Sequence, residues 1–205
     1  MIHIIGDSHA ESFRGHIDVS IHVIGRATAH NLIKDNSTTN SKHKTLALMN
    51  IIPKRDVVAF VLGEIDCRVH IYQKYMEKNQ TITLEELIEK TVNRYISFLK
   101  QFKEHKIAVV TIPPAGYEGN AFRYPFFGSP KIRAYINKTY NEILIKICRT
   151  ENISYVDIYD KIALPNGLAK PEYLRDQLHL NHRATRLIVE ELKRLELQWT
   201  TSKIF

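Results

Sequence analysis

The sequence predicts a three-layer α/β/α sandwich on a flavodoxin-like five-stranded parallel sheet of order 2-1-3-4-5. Two observations carry that expectation. Five short apolar runs, His3–Ile5, Val19–Ile24, Val57–Leu62, Ile107–Ile112 and Ile153–Ile158, are β-branched and nearly continuous rather than alternating, as strands buried on both faces are. Longer segments with helical spacing lie between them, and alternating strand and helix implies right-handed βαβ units. At 205 residues, one domain over 1–205 is expected, with room for a sizeable core and no need of staples.

Taken in order, the first run ends at Gly6-Asp7-Ser8-His9. Glycine punctuates the strand, and Ser8 falls on a sharp strand-to-helix turn beside backbone N–H groups, a placement that suits a nucleophilic serine. The same tetrapeptide also reads as an ordinary β-turn, with His9 shaping the turn or rim. Asn36–Ser41 is a polar loop. In the third helical segment Leu84, Leu87, Ile88, Thr91, Tyr95, Phe98 and Phe102 share a face, and Thr83 with Glu86 forms a capping-box pair. Ile132, Ile136, Tyr140, Ile143 and Ile147 make a second stripe. A last helix from about Asn181 turns Ala184, Leu187, Ile188, Leu192 and Leu195 inward.

Composition narrows the function classes. An apolar fraction of 44% and a charged fraction of 25% are ordinary for a globular chain. Two cysteines, Cys67 and Cys148, make neither a disulfide framework nor a CxxC pattern, and Cys67 is read as a packed side chain. No P-loop, GxGxxG or HExxH is present, so no cofactor and no metal are expected. The formal charge of +7 is spread over helical faces without a dense basic run, so no nucleic-acid partner is expected. No apolar run reaches membrane-spanning length and the first strand begins almost at once. The expected location is the cytoplasm, without membrane contact.

On such sheets ligands bind beyond the carboxyl ends of the strands, so the loops there hold the candidate site. After the second strand comes Gly25, whose N–H could serve an oxyanion. After the third comes Gly63-Glu64-Ile65-Asp66-Cys67-Arg68. Asp66 there is expected to cap a helix running to about Lys78, and Glu64 and Arg68 carry charge towards the site. After the fourth, the Pro113–Pro130 loop holds Tyr117, Phe122, Arg123, Tyr124, Phe126 and Phe127, either a substrate wall or a packed aromatic cluster. Before the last helix, Asp176 and His179 stand three apart. A carboxylate there can fix the tautomer of the imidazole and stabilise its charged form. His30 and His182 are read as structural or exposed.

Gly6-Asp7-Ser8 after a first strand, with Asp176-x-x-His179 before a final helix, resembles the SGNH (GDSL-type) hydrolase family across essentially the whole chain. The resemblance implies a serine esterase without metal: Ser8 as nucleophile, His179 as general base and acid, Asp176 as its partner, and Gly25 as the second-block glycine. The third block departs from the pattern. Where the family reads Gly-x-Asn-Asp, this chain has Ile65, which cannot donate to an oxyanion. The loss of one such donor typically costs about two to three orders of magnitude in turnover. Arg68 is expected to substitute, the alternatives being a pair with Glu64 or recognition of an acidic substrate group. The expected oxyanion groups are therefore Ser8, Gly25 and Arg68, and the expected substrate contacts are Asp7, Glu64, Asp66, Tyr117, Arg123 and Tyr124. The expected substrate is a short-chain ester, such as an O-acetyl group on a saccharide or small molecule, held in a shallow site. An O-acyltransferase on the same three residues, or a binding module that has lost its chemistry, are the alternatives.

Overall fold

The computed structural model describes residues 1–117 and 124–201. Its five strands are β1 (Ile2–Gly6), β2 (Val19–Val23), β3 (Val57–Val61), β4 (Lys106–Val110) and β5 (Ser154–Val156). All pairs are parallel and the order is β2-β1-β3-β4-β5. β1 is central, with Gly6 opposite Val23 on one side and Val61 on the other. Three strand ends therefore open side by side at one edge.

The two-residue period of the strands divides the interior. Ile5, Val58, Phe60 and Val109 pack against α1 (Ser41–Ile51), α2 (Ile71–Glu77), α3 (Leu84–Leu99) and α4 (Pro130–Thr150). Ile4, Ala59, Ala108 and Val110 face the short helix Ser8–Phe13, α5 (Tyr159–Ile162) and α6 (His182–Thr201). Both faces are covered, which is why the strands carry no polar alternation.

The helix boundaries follow their caps. Thr83 Oγ1 accepts from Glu86 N while the Glu86 carboxylate accepts from Thr83 N, a complete capping box. Ser129 caps α4, with Pro130 in its first turn, and Asn181 Oδ1 accepts from Ala184 N at the start of α6. In α4 the fully buried positions beyond Tyr140 are Leu144 and Cys148. The expected Ile143 and Ile147 pack against the same core as half-buried neighbours, so the inward face is broader than one stripe.

Asp66 does not cap the helix that follows the third strand. The backbone is already helical at Ile65, and Asp66–His70 form a π-helical turn that runs into α2. The Asp66 carboxylate turns inward and accepts from Ala29 N (2.7 Å) and His30 N (3.2 Å), pinning the loop after β2 beneath the end of β3. Among the described residues no helix is long and apolar enough to cross a membrane.

Candidate active site

Ser8 is the first residue of a 3₁₀ helix directly after β1. Asp7 precedes it as N-cap, its Oδ1 accepting from His9 N at 2.8 Å. Gly6 permits the tight exit, since a β-carbon there would lie 2.4 Å from Val61 O on the neighbouring strand. Asp7 is 1% exposed, and burial pushes its carboxyl up to about 6. Gly25 lies at the end of the adjacent strand, where Ile24 N donates to Gly6 O. Its φ of +94° is a conformation other residues rarely adopt.

The second half of the site comes from the loop before α6. Arg175 N donates to His179 O and Asn181 N to Tyr173 O, so the loop doubles back on itself around Asp176. The Asp176 Oδ1 accepts from Leu178 N (2.8 Å) and His179 N (2.7 Å), an Asx-type turn that aspartate is suited to make. Its Oδ2 lies 2.9 Å from His179 Nδ1, and His179 Nε2 lies 3.0 Å from Ser8 Oγ. Hydroxyl, imidazole and carboxylate stand in one line, across 171 residues of sequence.

The electrostatics of that line are uneven. Partial burial acts upward on Asp176, but the backbone and ring N–H groups of His179 and the Leu178 N–H outweigh it and hold the carboxyl near about 2. His179 is lowered, first by burial and then by the neighbouring His9, against the upward pull of Asp176. A carboxylate partner with a neutral ring leaves Nε2 free to accept the serine proton, the state a general base requires.

Around the line, the expected contacts sort by burial. Tyr124 packs edge-on to the His179 ring, centroids 5.4 Å apart, and its hydroxyl donates to Asp176 Oδ2 at 3.4 Å. Tyr117 is 44% exposed. Arg123, like Phe122, lies outside the described residues. Asp7, Glu64 and Asp66, expected against substrate, are all buried and serve as framework: Asp7 caps the serine turn and Asp66 holds the 29–30 backbone. Burial pushes Asp66 up to about 7.

Arg68 takes the ion pair that its spacing from Glu64 allowed. Its Nε donates to Glu64 Oε1 at 2.7 Å and its Nη1 to Pro125 O, so two sides of the guanidinium are committed within the protein. Glu64 also meets His9 Nε2 at 3.2 Å. The sequence reading missed this His9–Glu64 contact. The signal for it lies in the sheet register: Gly6 pairs with Val61, so positions three further along on each chain end up side by side. Ile65 is half-buried and offers no donor. Beside this cluster, the recess bounded by Arg68, Pro113, Gly116 and Leu178 is only about 10 Å³. Cys67 is fully buried. No group of three or more metal-ligating side chains occurs among the described residues.

A family model described as GDSL-like lipase/acylhydrolase matches residues 3–192. No curated protein sequence matches this chain. Among solved structures, a GDSL-like lipase from Bacteroides thetaiotaomicron is 15% identical, with 96% of this chain and 87% of that one covered and a TM-score of 0.64. An acetyl xylan esterase is 16% identical over 95% of this chain and 98% of its own, with a TM-score of 0.60. Axe2, an acetylxylan esterase from Geobacillus stearothermophilus, is 15% identical over 95% and 93%, with a TM-score of 0.54. At such identities the structural likeness speaks for the fold, whereas the family model spans nearly the whole chain. The chain belongs to the GDSL-like lipase/acylhydrolase family and is a carboxylic ester hydrolase.

Proposed function

We propose that this chain is a serine esterase that removes a short acyl group, an O-acetyl on a carbohydrate or small molecule, through Ser8, His179 and Asp176. The observation that carries the reading is the continuous path from Ser8 Oγ to His179 Nε2 (3.0 Å) and from His179 Nδ1 to Asp176 Oδ2 (2.9 Å). His179 takes the hydroxyl proton as Ser8 Oγ adds to the ester carbonyl. The imidazolium then returns that proton to the departing alcohol, leaving an acyl-serine. Water, deprotonated by the same imidazole, adds to the acyl carbon; the imidazolium returns that proton to Ser8 Oγ as the acyl–oxygen bond breaks, and the carboxylic acid leaves and ionises in solvent.

The backbone N–H groups of Ser8 and Gly25 are assigned to the developing oxyanion. Arg68 is assigned to holding Glu64, because its Nε and Nη1 already donate within the protein. With Ile65 in place of a donor, turnover below that of a three-donor site is expected. The preference for a short acyl group is supported by two structural neighbours that are acetyl xylan esterases. Tyr124, edge-on to the His179 ring, is assigned as aromatic surface for a sugar ring, with the exposed Tyr117 assigned to the same role.

The test is Ser8→Ala, assayed on acetylated xylo-oligosaccharides and on an ester series of increasing chain length. Loss of roughly three orders of magnitude or more in kcat/KM is expected, with fluorophosphonate labelling of the wild type at Ser8. Activity within a few-fold of wild type overturns the assignment, and a preference for long-chain esters overturns the substrate class.

A further inference from the structure

A second run of ionisable groups ends on the same histidine. Arg68 Nε donates to Glu64 Oε1 (2.7 Å), Glu64 Oε2 meets His9 Nε2 (3.2 Å), and the His9 ring lies 4.7 Å from that of His179, the planes inclined at 39°. His9 and Glu64 are 4% and 5% exposed. A carboxylate this deep keeps its charge only where cations meet it; Arg68 meets one oxygen and the His9 ring the other. A carboxylate only accepts, so His9 Nε2 must carry a proton towards it.

We propose that His9 is a positioning residue for His179: an imidazolium, held charged by the Glu64–Arg68 pair, that weakens the proton affinity of the base by like-charge repulsion across the two rings. This rests on the reading of His179 as the general base. The groups facing His179 are Asp176, which strengthens it as a base, and His9 and Arg175, which weaken it. The uncharged Tyr124 ring meets its edge. The groups facing His9 are Glu64 and Asp7, which favour its charged form, and Arg68, which opposes it. Burial acts against the charge on His9, yet the carboxylates outweigh it and its affinity for a proton is raised. Glu64 is correspondingly lowered, its own burial overcome by His9 and Arg68.

The consequence is chemical. An imidazolium destabilised by a neighbour is a better acid, and the alcohol leaving group needs that proton from His179. The base also stays neutral, and therefore competent, further into the acid range. In a site where Ile65 supplies no oxyanion donor, the gain falls on the leaving-group step, at the expense of proton abstraction from Ser8.

The experiment is an NMR titration of the ¹³C/¹⁵N-histidine-labelled full chain, comparing wild type, His9→Gln and Glu64→Gln. In the wild type, the His9 midpoint is expected above the ordinary imidazole value of 6.5, and in Glu64→Gln below it. In His9→Gln the His179 midpoint rises by roughly one pH unit, and the acid limb of kcat/KM moves up with it. A wild-type His9 that titrates at or below the ordinary value, or a His179 midpoint unmoved in His9→Gln, overturns the proposal. The wild-type titration requires no variant to fold. The midpoints require no turnover, so a protein with these titrations but no esterase activity would refute the function and not the coupling.

Discussion

Gly116 lies against the main chain of Gln177 so closely that a β-carbon on it would come within 2.0 Å of the Gln177 carbonyl oxygen. The approach is fixed from below. Asn141 of α4 holds Ile112 by two hydrogen bonds through its side-chain amide, and Asn137 Nδ2 donates to Pro113 O. The segment after β4 thus has one course, and the Asp176–His179 loop rests on it. Gly116→Ala must part the two backbones, and any share of the shift taken by the loop moves His179 relative to Ser8. A fall in kcat of roughly 10- to 100-fold is expected, with KM and the unfolding temperature changed far less. Steady-state kinetics beside thermal melts of the same preparation check this.

The acid limb of the wild-type pH profile should lie low. As the proposed base, His179 is competent only when neutral, and burial together with His9 lowers its proton affinity. Activity is therefore retained as pH falls through the ordinary imidazole range and is lost only beneath it. A plot of kcat/KM against pH on a water-soluble acetyl ester shows this, and a limb at or above the ordinary value contradicts it.

Asp66 gives a stability prediction with a definite sign. Its carboxyl is raised to about 7 by burial, so between about pH 4 and pH 7 the folded chain holds a proton that the unfolded chain has released. The stability contributed by Asp66 is full at the acid end of that window and is lost as pH rises through it. Asn carries no such proton. The stability deficit of Asp66→Asn relative to wild type is therefore greatest near pH 4, shrinks towards pH 7 and is level above it. Denaturant unfolding of both proteins across that range measures the difference.

Gly63 has φ of +115°, and a β-carbon would sit 2.5 Å from the hydroxyl oxygen of the buried Tyr140. Gly63→Ala meets both obstacles at once. The backbone conformation alone costs about 1–3 kcal/mol, and the displaced Tyr140 adds to it. A lowered unfolding temperature is expected, whereas Gly15→Ala, also at positive φ but with nothing near its β-carbon, should show only the backbone cost.

What the sequence made legible follows from range. The strand order and the capping box at Thr83 and Glu86 depend on hydrophobic period and local spacing, and the chain displays both directly. The meeting of Ser8 with His179 depends only on both lying beyond strand ends at one edge of the sheet. The partners of Asp66 were not legible. A carboxylate at the start of a helical segment has the signature of a cap, and only the tertiary approach of the 29–30 backbone draws it inward. His9 and Glu64 escaped for a related reason, since their contact requires the register of β1 against β3. In α4, Ile143 and Ile147 pack on the core as their spacing predicts, but the still deeper Leu144 and Cys148 stand on the same broad face, which a single stripe does not show.

The position of β1 between β2 and β3 has a consequence for local stability. The turn bearing Ser8 is tied to the centre of the sheet, whereas His179 is brought to it from 171 residues further along the chain. An opening confined to the loop before α6 separates imidazole from hydroxyl while the sheet stays paired.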